Sequence, residues 1–64
     1  MENIIKMYTE RIINSKTLGE AWSRYRSSIY FLSDCKDCKT ITNDEWYEYT
    51  QQVEKAFEGK LFND

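Results

Sequence analysis

The sequence predicts an all-α fold, a small three-helix bundle running up, down and up. Three observations carry that expectation. Two helix-start signatures stand twenty-five residues apart, Thr17-Leu18-Gly19-Glu20 and Thr42-Asn43-Asp44-Glu45. Each fits a capping box, in which a threonine hydroxyl accepts from the backbone N–H three residues on and the glutamate there reaches back to the threonine N–H. Apolar residues recur at helical spacing in three segments. The 64 residues contain no proline and two glycines, too few turn formers for a sheet of several strands.

The first helix is expected over residues 2–14. Ile4, Tyr8 and Ile12 lie four apart, Met1 and Ile5 join their stripe, and Met7 and Ile13 flank it. Asn14-Ser15-Lys16 breaks the pattern and leads into the first capping box.

The second helix is expected over residues 18–33. Leu18, Trp22, Tyr25, Ile29 and Leu32 make one face, bordered by the small residues Ala21 and Ser28. Tyr30 and Phe31 fall off that stripe, and Phe31 projects almost opposite Trp22. Asp34–Ile41 then reads as a short polar connection holding both cysteines.

The third helix is expected over residues 43–58. Ile41 and Trp46 have the spacing of a hydrophobic staple around the cap Thr42. Trp46, Tyr49, Val53 and Phe57 share a face with Ala56, while Tyr47, Gln51, Glu54 and Glu58 form an outer strip. Gly59 has the position of a C′ glycine that ends a helix, after which Leu61 and Phe62 fold back on the bundle. Short connections imply antiparallel neighbours and one domain over residues 1–64.

Size and charge narrow the function. A domain this small has no room for a deep ligand pocket beside its core. Nine basic and eleven acidic side chains give a net charge of −2, against the basic balance of nucleic-acid binders and against an anionic membrane surface. Met1-Glu2-Asn3-Ile4-Ile5-Lys6 lacks the basic start and apolar run of a signal peptide, so a cytoplasmic location with reduced thiols is expected.

No catalytic constellation emerges, and no enzyme or cofactor is expected. There is no histidine, no glycine-rich phosphate loop and no base beside Ser27 or Ser28. Cys35-Lys36-Asp37-Cys38 has the spacing of two zinc ligands, but closed zinc sites need four. One chain offers half a site, to be completed by Asp34 or Asp37 or by the Cys35 and Cys38 of a second chain. The leading expectation is therefore two incidental thiols and no metal.

The informative surplus is aromatic. Ten residues are Phe, Trp or Tyr. Tyr, Trp and Arg are enriched at binding hot spots, which makes Arg24, Arg26, Tyr30, Phe31 and Tyr47 the candidate partner-binding residues. Phe31 has a competing assignment to the core, because a middle helix touches two neighbours.

The chain resembles, in size and AT-rich composition, the short accessory proteins of phages and mobile elements. Many of those act by binding another protein, and the leading expectation is a regulator, inhibitor or assembly subunit acting by protein–protein contact; an acidic helical surface that blocks a basic nucleic-acid-binding site on a partner is one sub-case. The alternative is a homodimer with zinc bridged by two CxxC loops. A nucleic-acid-binding module is disfavoured by charge.

Overall fold

The computed structural model describes residues 1–62. Among them lie three helices and no strand: α1 (Glu2–Ile13), α2 (Leu18–Asp37) and α3 (Asn43–Phe62). Cross-helix pairs fix the topology. Tyr8 meets Phe31, and Arg24 reaches back to Arg11, so α1 and α2 are antiparallel. Trp22 meets Phe57 while Lys36 meets Trp46, so α2 and α3 are antiparallel as well. The result is the up-down-up bundle, 36 Å long and 16 by 15 Å across.

The core is a single seam where the three helices converge. Ile5 and Ile12 enter from α1, Ala21 and Leu32 from α2, and Tyr49, Val53 and Phe57 from α3, with Ile41 closing the end. Full burial of side chains such as Ile5, Ile12, Leu32 and Val53 contributes about 1.5–3 kcal/mol each. The outer edges of the expected stripes stay wet: Ile4 and Leu18 are exposed.

α2 is rotated by roughly 60° from the expected stripe, at about 100° per residue. Ala21, Ser28 and Leu32 are wholly buried at the centre of its inner arc. Two small side chains there let α2 approach both neighbours. The buried Ser28 hydroxyl donates to the Tyr25 carbonyl at 2.7 Å, which meets its hydrogen-bonding need locally.

The two helix starts differ. At α3 the capping box is reciprocal: Thr42 Oγ1 accepts from the Glu45 N–H at 3.1 Å, and the Thr42 N–H donates to Glu45 Oε1 at 2.9 Å. At α2 only half forms. Thr17 Oγ1 accepts from the Glu20 N–H at 3.1 Å, but the Glu20 carboxylate pairs instead with Arg24 at 2.6 Å. Arg24 sits one turn on and offers a charged fork, a better partner than a backbone N–H.

Both later helices outrun their expected ends. α2 continues through Ser33 to Asp37, because nothing in Asp34-Cys35-Lys36-Asp37 breaks a helix. It closes in a Schellman motif: Thr40 N–H donates to the Cys35 carbonyl at 2.9 Å, and Lys39 N–H to that of Lys36 at 3.0 Å. Lys39 takes the left-handed position, at φ 61°, where glycine is usual. α3 passes straight through Gly59, which has no positive φ and is not a C′ residue. Leu61 and Phe62 therefore do not fold back; they end the helix exposed, Phe62 at 84%.

Candidate protein-interaction surface

The outer side of α2, where it borders α3, carries a shallow apolar groove of about 210 Å³. Trp22, Tyr25, Arg26, Ile29 and Tyr30 line it. These positions follow helical spacing and rotate progressively out of the core, so each side chain is anchored on one side and open on the other.

Trp22 is the central feature. The sequence places it in the core, yet it is 48% exposed. The rotation of α2 that buries Ala21 carries Trp22 to the rim of the arc. It is held there by rings beneath it, with centroids 5.5 Å from Phe57 and 5.8 Å from Tyr25. Tyr25 and Phe57 stack in turn, 4.9 Å apart and 9° from parallel. Such pairs are worth about 0.5–1.5 kcal/mol beyond area burial, enough to fix a half-exposed indole.

Beside this stack, Arg26 donates to the Tyr30 hydroxyl at 2.8 Å, and its guanidinium carbon lies 5.6 Å from the Tyr30 ring centroid. Both side chains are exposed. Their pairing at i, i+4 ties down two long side chains whose freedom would otherwise be lost on binding. On α3, Glu54 and Glu58 stand near Phe57 in the chain, the ring that stacks on Tyr25. Burial raises the Tyr25 pKa above its ordinary value, and these two carboxylates raise it further. Arg26 thus stands on the α2 side of the groove, and Glu54 and Glu58 lie on the neighbouring helix α3.

The remaining candidate residues do not converge there. Arg24 belongs to the scaffold. It donates to the Arg11 carbonyl at 2.6 Å, approaches Ser15 Oγ at 3.4 Å and pairs with Glu20. It thereby joins the Ser15 hydroxyl, which donates to the same carbonyl at 3.0 Å, and brings a cation to the C-terminus of α1, where the helix dipole favours one. Phe31 is half-buried against the core with its ring 5.4 Å from Tyr8 of α1, so it is a packing residue and not an outward anchor. Tyr47 is exposed on α3, two turns before Glu54 and outside the groove lining.

A second cleft, about 230 Å³, lies between α1 and α2 and is lined by Tyr8, Arg11, Ser23, Arg24 and Ser27. Its better-placed cation, Arg24, is already engaged by Glu20.

The cysteines fall at the end of α2, not in a free loop. Cys35 is half-buried inside the helix and Cys38 is its exposed C-cap. A thioredoxin-type pair stands at a helix N-terminus, the opposite end. Among the described residues no three Cys, Asp or Glu side chains converge on one point, so Asp34 and Asp37 do not complete a metal site with the thiols. Nearby, the Lys36 ammonium lies 4.5 Å over the Trp46 ring. Trp46 Nε1 and Thr50 Oγ1, one turn apart, are buried without a hydrogen-bond partner among the described residues.

No family model, curated protein or solved structure matches this chain. None of the described helices is long and apolar enough to cross a membrane.

Proposed function

We propose that this chain is a non-enzymatic helical protein that acts by contact with another protein, and that the α2–α3 groove makes the contact. The observation that carries this reading is Trp22. Half of a large indole is open to water although two aromatic rings, Tyr25 and Phe57, hold it in place, and an Arg–Tyr pair stands beside it. Trp, Tyr and Arg dominate interface hot spots, and pre-ordering reduces the entropy lost on binding. The role is that of a regulator, an inhibitor or an assembly subunit. The earlier candidates Arg26 and Tyr30 remain in this surface, Trp22 joins them, and Arg24 and Phe31 leave it.

Substituting a photo-crosslinking amino acid for Tyr30 tests the reading in source cells. Protein adducts are expected at that position and should disappear when Trp22→Ala is added. Truncating a hot-spot tryptophan costs 2 kcal/mol or more, about thirtyfold in affinity. Adducts that persist unchanged with Trp22→Ala, in a variant whose helical signal is intact, would refute the assignment.

A further inference from the structure

We infer that the occupant of the groove is a second copy of this chain, docked about a two-fold axis that runs along the groove. The inference rests on the reading of the groove as a protein-binding surface.

Charge is the first argument. Arg26 lines the groove on α2, and the adjoining helix α3, which packs on Trp22 and Tyr25 through Phe57, carries Glu54 and Glu58 beside that ring in the chain. A surface with a single charge sign repels its own copy. A bipolar one is self-complementary when the symmetry exchanges its two sides. An axis along the groove does this: it lays α2 of one copy over α3 of the other. The Trp22–Phe57 and Lys36–Trp46 pairs set the antiparallel register, which places Arg26 level with the turn that holds Glu54. Arg26 of each copy then faces the acidic residues of α3 in the other, twice per dimer, as an isologous interface requires.

The apolar surface is the second argument. One turn beyond Trp22 and Phe57, in the same direction along the antiparallel pair, come Leu18 and Leu61, 44% and 45% exposed. With Ile29 and Tyr30 they extend the strip along the bundle. The strip thus follows the 36 Å long axis of the bundle and is not confined to the groove. A domain of this size buries a small share of its chain surface and gains most from covering such a strip.

The dimer also makes a statement about the cysteines. Cys35 lies nine residues from Arg26, about 180° around α2 at 100° per residue. Cys35 therefore lies on the side of α2 away from the two-fold axis, and association does not call on it as a metal ligand.

Sedimentation equilibrium of the full chain in EDTA, from about 5 µM to about 1 mM, reads the outcome directly. A closed two-chain species with a micromolar dissociation constant is expected. Arg26→Glu alone, and Glu54→Arg with Glu58→Arg, should each weaken it at least about tenfold, because like charges then face each other. An equimolar mixture of the two variants should recover the dimer, which a folding defect would not allow. A wild-type monomer at the highest concentration, a dimer indifferent to both charge reversals, or a series of larger species without closure would each overturn the inference. A monomer that still gives Trp22-dependent adducts with a different protein overturns the dimer and leaves the proposed function standing. A monomer without such adducts removes both.

Discussion

Arg24→Ala tests whether one side chain ties α1 to α2. In the structure Arg24 makes three contacts: a 2.6 Å hydrogen bond to the Arg11 carbonyl, a 2.6 Å ion pair with Glu20 and a long 3.4 Å approach to Ser15 Oγ. The ion pair is an i, i+4 contact whose side chains are 38% and 36% exposed, worth about 0.3–0.5 kcal/mol. The carbonyl contact is charge-assisted, which brings about 1.5 kcal/mol at the lower end of its range, and partial exposure reduces that further. Its favourable place at a helix C-terminus is within the same interaction and is not counted twice. The expected loss is therefore about 1–2 kcal/mol, with a fall in Tm of about 4–8 °C for each kcal/mol in a domain this small. Glu20→Gln removes the ion pair and should cost only about 0.3–0.5 kcal/mol. Urea denaturation of both variants and of the double variant separates the contributions. A loss in Arg24→Ala no larger than that in Glu20→Gln would show that Arg24 is an ordinary surface charge and that the Ser15 hydroxyl and water serve the α1 carbonyl equally well.

Backbone geometry gives a second expectation: Gly59→Ala should stabilise by up to about 1 kcal/mol in thermal melts, because Gly59 lies inside α3 and an added Cβ meets nothing within 4 Å. A C′ glycine would give the opposite sign. Lys39→Gly should also stabilise, by about 0.5–1 kcal/mol, since Lys39 holds φ at 61°. Alkaline pH provides the third. Burial raises the pKa of Tyr25 and of Tyr49, with Glu54 and Glu58 adding at Tyr25, and Glu45, Glu2 and Glu48 adding at Tyr49. Above pH 10 the unfolded chain loses these protons before the folded one, so their contribution is full below pH 10 and is lost as pH rises through the folded values. Urea midpoints should fall through this range, and Tyr25→Phe with Tyr49→Phe should flatten the fall. An unflattened profile would assign alkaline destabilisation to other groups.

Local chemistry was legible in the chain. Thr17 and Thr42 marked the two helix starts, because a cap depends on residues three apart and on nothing distant. The helix ends were less legible. Gly59 and the polar Asp34–Asp37 segment are each compatible with ending a helix or extending it, and the choice depends on what the next turn packs against. Here α2 gains Cys35 against the core and α3 runs on to Phe62. The candidate surface was half legible: Arg26 and Tyr30 stood out as aromatic and cationic residues off the stripe, whereas Trp22 was hidden within it.

By itself, the sequence determined that this protein is three helices in one small bundle, since apolar periodicity, caps and the lack of proline act within a few residues. Tertiary structure alone decided which aromatics face water. α2 packs against two neighbours at once, and its azimuth is set by how closely both can approach Ala21 and Ser28. That rotation sets Phe31 half-buried beside Tyr8, lifts Trp22 to the rim and turns Arg24 into a tie for α1. A helical stripe specifies a direction only to within the width of its arc, and the balance between two packing partners fixes it within that width.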